Sequence, residues 1–290
     1  MSVPDTHHMA LPPGCWLERY RIERELGHGG FGITYLGLDA DDGCRVAIKE
    51  YIPREVAWRE SGSTVQPISA GDAELFEWGL ERFLDEARTL AKFDHPGIVG
   101  VRRVFRANET AYLVMEYCDG HVLDRMLARE KRLAGEHVAY LAERLLDALD
   151  TMHLMGVIHR DVKPGNILIR DDGSPLLLDF GSARQALGRR SQNLTSFITP
   201  HYAPLEQYSA TSKQGPWTDL YGLAATLYHC LSGEKPPDAP QRMDGLELVP
   251  LARAAGDCPP GLARAVEAGL TVSAVDRVQS VPEWRRVAGS

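Results

Sequence analysis

Apolar and polar side chains alternate from Tyr20 to Lys49 in two runs, 20–28 and 32–39, and again through Arg45-Val46-Ala47-Ile48-Lys49. A period of two predicts half-buried strands. The turn Asp41-Asp42-Gly43 joins the second run to the third, so antiparallel neighbours are expected. After residue 72 the period changes. Phe76, Leu80, Phe83, Leu84, Ala87, Leu90 and Ala91 recur at spacings of three and four, which predicts a helix over roughly 73–93. Strands return at about 98–106 and 111–117. Beyond Asp119-Gly120 the pattern is helical. Val138, Leu141, Leu145, Leu149 and Met152 form one stripe, and Gly156 stands where that helix should stop. A further helix is read over 217–231. Residues 1–15 read as an irregular, Pro-rich leader. Residues 50–72, with Pro53, Gly62, Pro67 and Gly71 among Ser and Thr, read as an irregular insertion.

A sheet-rich first part and a helix-rich second part predict an α+β chain of two lobes. The divisions are a leader 1–19, a first lobe 20–117 containing the insertion 50–72, and a second lobe 118–288.

Composition adds exclusions. The 290 residues are 44% hydrophobic and 25% charged, enough for one large domain or two lobes. A net charge of −8 disfavours non-specific nucleic-acid binding, and no Lys/Arg run reaches five. Cys15, Cys44, Cys118, Cys230 and Cys258 are odd in number, far apart and without a zinc-type pair. They suggest a reducing, cytoplasmic setting. No apolar run approaches the roughly 18–20 residues that span a bilayer, and no signal-peptide layout is seen at the N-terminus.

Candidate chemistry begins with the glycines. Gly27, Gly29 and Gly32 spell G-x-G-x-x-G, with His28, Gly30 and Phe31 between them. Strand patterns flank this cluster on both sides, so it is a hairpin, unlike the strand-to-helix turn of a dinucleotide site. No Gly-Lys-Ser/Thr follows, which removes a Walker loop. Alone, the pattern fits any glycine-rich hairpin. Downstream come Val46-Ala47-Ile48-Lys49, then His159-Arg160-Asp161-Val162-Lys163-Pro164-Gly165-Asn166. Asp179-Phe180-Gly181 and Thr199-Pro200-His201-Tyr202-Ala203-Pro204-Leu205-Glu206 follow. In this order and spacing they resemble the signature set of protein kinases. The text Tyr202-Ala203-Pro204-Leu205-Glu206-Gln207-Tyr208 and the long segment after Lys49 resemble the proteobacterial branch of eukaryotic-like Ser/Thr kinases. The resemblance runs from about Tyr20 to about Val287.

The resemblance implies a bilobal protein-kinase fold, with an antiparallel N-lobe sheet carrying one main helix and a mostly helical C-lobe. It implies transfer of the ATP γ-phosphate to Ser/Thr hydroxyls of proteins, with Mg²⁺ or Mn²⁺. Gly27, His28, Gly29, Gly30, Phe31 and Gly32 would form a lid over the phosphates. Thr34 stands where a valine usually caps the adenine, and Ala47 and Leu168 would sandwich that ring. Met115 is the expected gatekeeper, with adenine contacts from the Glu116 carbonyl and the Cys118 amide. Lys49 would hold the α- and β-phosphates, paired with Glu86 rather than Glu81 or Asp85. Asp161 would orient the attacking hydroxyl, Lys163 would lie beside the transferred phosphate, and Asn166 and Asp179 would hold the metal. Thr199, Glu206, Asp219 and Arg277 are expected to be structural, with Glu206 paired to Arg277 and Asp219 bracing the catalytic loop. Arg160 would read a phosphate at Ser191, Thr195 or Ser196, added by a self-associating copy. Ala224 departs from a glycine common in the family. A catalytically silent ATP-binding scaffold and an AMP-transferring enzyme are the alternatives.

Overall fold

The computed structural model describes residues 9–59, 62–179, 198–209 and 211–289. They fall into two compact units. Of the described residues, the first holds 9–59, 62–94 and 99–118, and the second holds 95–98, 119–179, 198–209 and 211–289.

The first unit is built on a six-stranded antiparallel sheet. Its strands are β1 (Trp16–Leu17), β2 (Tyr20–Gly29), β3 (Gly32–Asp39), β4 (Arg45–Tyr51), β7 (Val101–Ala107) and β8 (Thr110–Glu116), in the order β1-β2-β3-β4-β8-β7. The sheet curls. Tyr20 of β2 stacks on Phe105 of β7 with ring centroids 6.1 Å apart, and Phe105 stacks on Tyr112 of β8 at 5.4 Å. Strands from opposite ends of the order thus share one apolar interior, which also takes Ile22, Tyr35, Val46 and Ile48.

The insertion differs from the irregular loop expected. Ala57–Trp58 (β5) and Gln66–Pro67 (β6) pair antiparallel, and Val65 donates its N–H to Asn108 O at 2.9 Å. The leader is not passive either. Leu11 is buried and donates its N–H to the Tyr35 hydroxyl at 3.1 Å, and Trp16–Leu17 pairs with β2.

Helix α1 (Ala73–Leu90) buries Phe76, Leu80, Phe83, Leu84, Ala87 and Leu90 of the predicted stripe, while Ala91, its last member, is exposed just past the helix. Tyr51 of β4 packs on Phe76 and Phe83, with centroids 5.4 and 5.6 Å apart, and donates its hydroxyl to Phe76 O. The helix ends before the predicted 93. Lys92 and Phe93 turn back in short bonds to Thr89 O and Leu90 O, which keeps Phe93 buried and extends the apolar spacing past the last helical residue.

The second unit is mostly helical: α2 (Leu123–Glu130), α3 (Gly135–Leu154), α4 (Pro216–Ser232), α5 (Ala239–Met243), α6 (Leu251–Ala254), α7 (Pro260–Gly269) and α8 (Val281–Gly289). A small sheet, β11 (Pro175–Leu177), β10 (Ile167–Arg170) and β9 (Gly120–Val122), runs beside them. Helix α4 is buried nearly all round and is the centre of this unit. It carries Ala224, the expected departure from glycine. Room for that methyl comes from α7, where a Cβ on Gly269 would lie 2.8 Å from the Ala224 Cβ.

Candidate active site

In the first unit, register sets the geometry. Residues paired across antiparallel strands point to the same face. Thr34, Lys49 and Leu113 are partners across β3, β4 and β8, and Leu36, Ala47 and Met115 are partners one step along. Thr34, Ala47, Lys49 and Met115 therefore share one face, with Gly27 opposite Thr34 on β2. Glu116 ends β8 and donates its N–H to Gly100 O at 2.9 Å, and Cys118 follows as a half-buried residue. His28 lies 2.5 Å from the Glu25 carboxylate.

The hairpin pairs Gly29 with Gly32, leaving Gly30 and Phe31 as its turn. Gly32 is required by close approach, since a Cβ there would sit 2.0 Å from Glu50 O. A Cβ added at Gly27, Gly29 or Gly30 would meet nothing within 4 Å, so packing within the chain does not demand glycine there and the bare backbone suits close approach by a ligand.

Of the three candidate acids on α1, Glu86 is half-buried while Glu81 and Asp85 are exposed. Asp85 pairs with Arg88 at 3.1 Å and Arg82 at 3.6 Å, and Glu81 pairs with Arg106, so both are held in surface ion pairs.

In the second unit, Asp161 is the centre of a compact hydrogen-bonded group. Its carboxylate accepts from Lys163 Nζ at 2.7 Å, Asn166 Nδ2 at 2.8 Å and Thr199 Oγ1 at 3.1 Å. Lys163 also donates to Thr199 Oγ1 at 2.9 Å. Asn166 closes a short 3-10 turn, Pro164–Asn166, and its amide also donates to Asp161 O at 2.8 Å. Leu178 donates its N–H to Asn166 O at 3.0 Å, which lays the residue before Asp179 alongside Asn166. Leu168 lies on β10, opposite Val122 and Leu176.

The loop carrying Asp161 is braced from α4. Asp219 accepts the N–H groups of His159 at 2.9 Å and Arg160 at 2.7 Å, and contacts His153 Nε2 at 2.8 Å. Gly222, one turn along, brings the helix close, since a Cβ there would lie 2.7 Å from Val162 O. Arg160 has a φ of 69°, in the left-handed region that disfavours side chains. Its N–H goes to Asp219, and its carbonyl accepts from Gln207 Nε2 at 2.8 Å. Burial pushes the pKa of His159 down, against the pull of Asp219. Its ring accepts the Asp161 N–H through Nδ1, as a neutral imidazole can.

Glu206 and Arg277 form a buried ion pair at 2.8 Å, and Thr218 donates to the same carboxylate at 3.1 Å. Arg277 also donates to the carbonyls of Trp217, Thr271 and Val272, so all its N–H groups are engaged, and it lies 4.8 Å from the Tyr221 ring centroid.

Phe180, Gly181, Ser191, Thr195 and Ser196 lie outside the described residues. Two contributors escaped the sequence reading. His153 sits on α3 and meets Asp219 from 66 residues away. Gln207 lies inside a recognised motif, but its contact with Arg160 spans 47 residues and no local pattern marks it.

The Protein kinase domain family matches residues 20–249. The probable serine/threonine-protein kinase PknB of Lactococcus lactis is 33% identical over 76% of this chain and 32% of its own length. Serine/threonine-protein kinase PknA of Mycobacterium tuberculosis is 34% identical over 75% of this chain and 48% of its own. The chain thus spans about a third to a half of these curated relatives. A solved structure described as PpkA-294 in its apo form is 34% identical, with a TM-score of 0.89, covering 97% of this chain and 99% of that one. The PknI kinase domain of Mycobacterium tuberculosis is 25% identical with a TM-score of 0.69 over the same shares. By sequence and by fold, the chain belongs to the protein kinase family, and its bacterial relatives are serine/threonine kinases.

Proposed function

We propose that this chain transfers the γ-phosphate of ATP to Ser or Thr hydroxyls of protein substrates. The observation that carries the proposal is the joint hold of Lys163, Asn166 and Thr199 on the Asp161 carboxylate. Phosphoryl transfer asks a protein mainly to position groups and balance charge. A carboxylate fixed from several directions can orient a substrate hydroxyl and take its proton. A lysine beside it can follow the charge of the moving phosphate. Lys49, with Glu86 as the acid best placed on α1, is assigned to the α- and β-phosphates. Ala47, Met115, Leu168, the Glu116 carbonyl and the Cys118 amide are assigned to the adenine, and the glycine hairpin is the phosphate lid.

The residues fit a hard divalent cation. Asn166 spends its amide nitrogen on Asp161, which leaves its side-chain oxygen as the atom chemically suited to ligate a cation, and its main-chain O accepts from Leu178, the neighbour of Asp179. Among the described residues no three His, Cys, Asp or Glu side chains cluster for a metal. A single carboxylate with an amide oxygen, waters and substrate phosphates suits Mg²⁺, and Mn²⁺ shares that chemistry. When bound, the cation would neutralise phosphate charge.

Arg160 is the candidate reader of a phosphate at Ser191, Thr195 or Ser196, placed there by a second copy of the chain. The Tyr202–Tyr208 text supports a proteobacterial-type kinase. A cytoplasmic site fits the cysteine usage, and no helix of the described residues is long and apolar enough to cross a membrane. No observation favours a silent scaffold, since no catalytic group is missing.

The test is γ-labelled ATP with Mg²⁺ and a basic protein substrate. Wild type should label both the substrate and itself, and Asp161→Ala should label neither. Equal labelling by both would sink the mechanism. Mass spectrometry of the product separates phosphate from AMP.

A further inference from the structure

The 50–72 insertion is built into the first unit, and it begins at the hairpin turn. Ile52 donates its N–H to Phe31 O at 3.0 Å and Arg54 donates its N–H to Gly30 O at 3.1 Å. These bonds carry the β3–β4 ladder past its last pair, Gly32 with Tyr51, and onto the turn itself. The tip of the hairpin is thereby held by the first residues of the insertion.

Those residues are held in turn. The N–H groups of Val56 and Ala57 return to Pro53 O at 3.0 and 2.8 Å, and Ile68 closes the far arm on Val56 O at 2.9 Å. Behind this turn lies Arg59, only 4% exposed. Its guanidinium donates to the Glu50 carboxylate, to Ser63 O at 3.1 Å and to Met9 O at 2.5 Å. One side chain therefore ties together strand β4, the far arm of the insertion and the leader. Glu50 is fully buried and also accepts from Tyr35 at 2.7 Å and Tyr112 at 2.5 Å. Burial and the Glu50 charge push both phenols up, so they stay protonated donors. A buried ion pair often adds little net stability over an apolar replacement, so the weight here lies on the several directions from which this one is held.

We propose that Arg59 is a positioning residue for the nucleotide lid. Through Glu50 it seats the 52–59 segment, and the backbone of that segment sets where Gly30 and Phe31 stand. The inference rests on reading the glycine hairpin as the lid over the ATP phosphates. Glu50 is the chain neighbour of Lys49, so the same clasp fixes the strand that carries the phosphate-binding lysine.

The experiment uses the full chain and four variants: Arg59→Met, Arg59→Lys, the double variant Arg59→Met/Glu50→Gln, and Tyr112→Phe. The double variant removes the stranded carboxylate, which separates loss of the strap from loss of stability. Tyr112→Phe removes a different donor to Glu50, and with it the acceptor of Asn108 Nδ2, while leaving the Arg59 clasp in place. Arg59→Met and the double variant should raise KM for ATP about tenfold while kcat changes less than about threefold. Amide exchange at Ile52 and Arg54 should quicken about tenfold in both. Arg59→Lys should fall between these and wild type, and Tyr112→Phe should leave KM unchanged. A double variant that keeps wild-type thermal stability, wild-type KM and wild-type exchange at 52 and 54 overturns the proposal. If wild type transfers no phosphate, the kinase reading fails, and exchange at 52 and 54 still decides the strap.

Discussion

The side-chain amide of Gln207 donates to the carbonyl oxygen of Arg160 at 2.8 Å, on the opposite side of that residue from Asp219, which takes its N–H. Arg160 stands in a left-handed conformation next to Asp161, so these two bonds offset a strain of about 1–3 kcal/mol. Gln207→Leu should lower the unfolding free energy by about 1–2 kcal/mol. It should also reduce kcat about tenfold with little change in KM for ATP. Urea unfolding and steady-state kinetics check both parts.

Thr199 joins Asp161 and Lys163 through one hydroxyl. Thr199→Val keeps the shape and removes the bridge, so kcat at saturating ATP should fall about 10- to 100-fold. Thr199→Ser keeps the hydroxyl and should retain most of the rate. Equal loss in both would show that the methyl group, not the bridge, is what matters.

The Glu206–Arg277 pair is a stability element. Arg277→Met strands a buried carboxylate and should cost about 3–5 kcal/mol. The double variant Arg277→Met/Glu206→Gln should recover part of that cost. A double-mutant cycle from denaturant midpoints measures the coupling.

Acid should weaken the fold through two histidines. Burial lowers the pKa of His159, and burial with the nearby Lys235 charge lowers that of His229, so both are neutral in the folded chain. In the unfolded chain they take up protons near a pH of about 6.5. Below that pH the unfolded state binds more protons, so stability falls as the pH drops towards the lowered folded values. Denaturant midpoints at pH 7.5, 6.5 and 5.5 should decline in that order. His229→Gln keeps an acceptor for Tyr202, whose hydroxyl lies 2.8 Å from His229 Nδ1, and should flatten part of the slope.

The strands and α1 were legible because each repeats a period over many residues, and Asp161, Lys163 and Asn166 because they sit close together in one short text. The insertion was not. Its paired strands are two residues each, too short to show a period. Arg59 and Glu50 are ordinary charges in the sequence, and only the curl of the sheet buries them together. The end of α1 was misplaced because the turn at Phe93 keeps its side chain on the buried face after the helical bonds have stopped. His153 and Gln207 reach their partners through tertiary packing, which no window on the sequence sees.

Ala224 and Gly269 show how narrowly the centre of the second unit is filled. Between them there is space for one methyl group, and a second on Gly269 would also press to 2.5 Å from the Trp284 ring. The two positions behave as a single shared volume. An engineered glycine at 224 leaves a hole that a simultaneous alanine at 269 is located to refill, provided that Trp284 gives way.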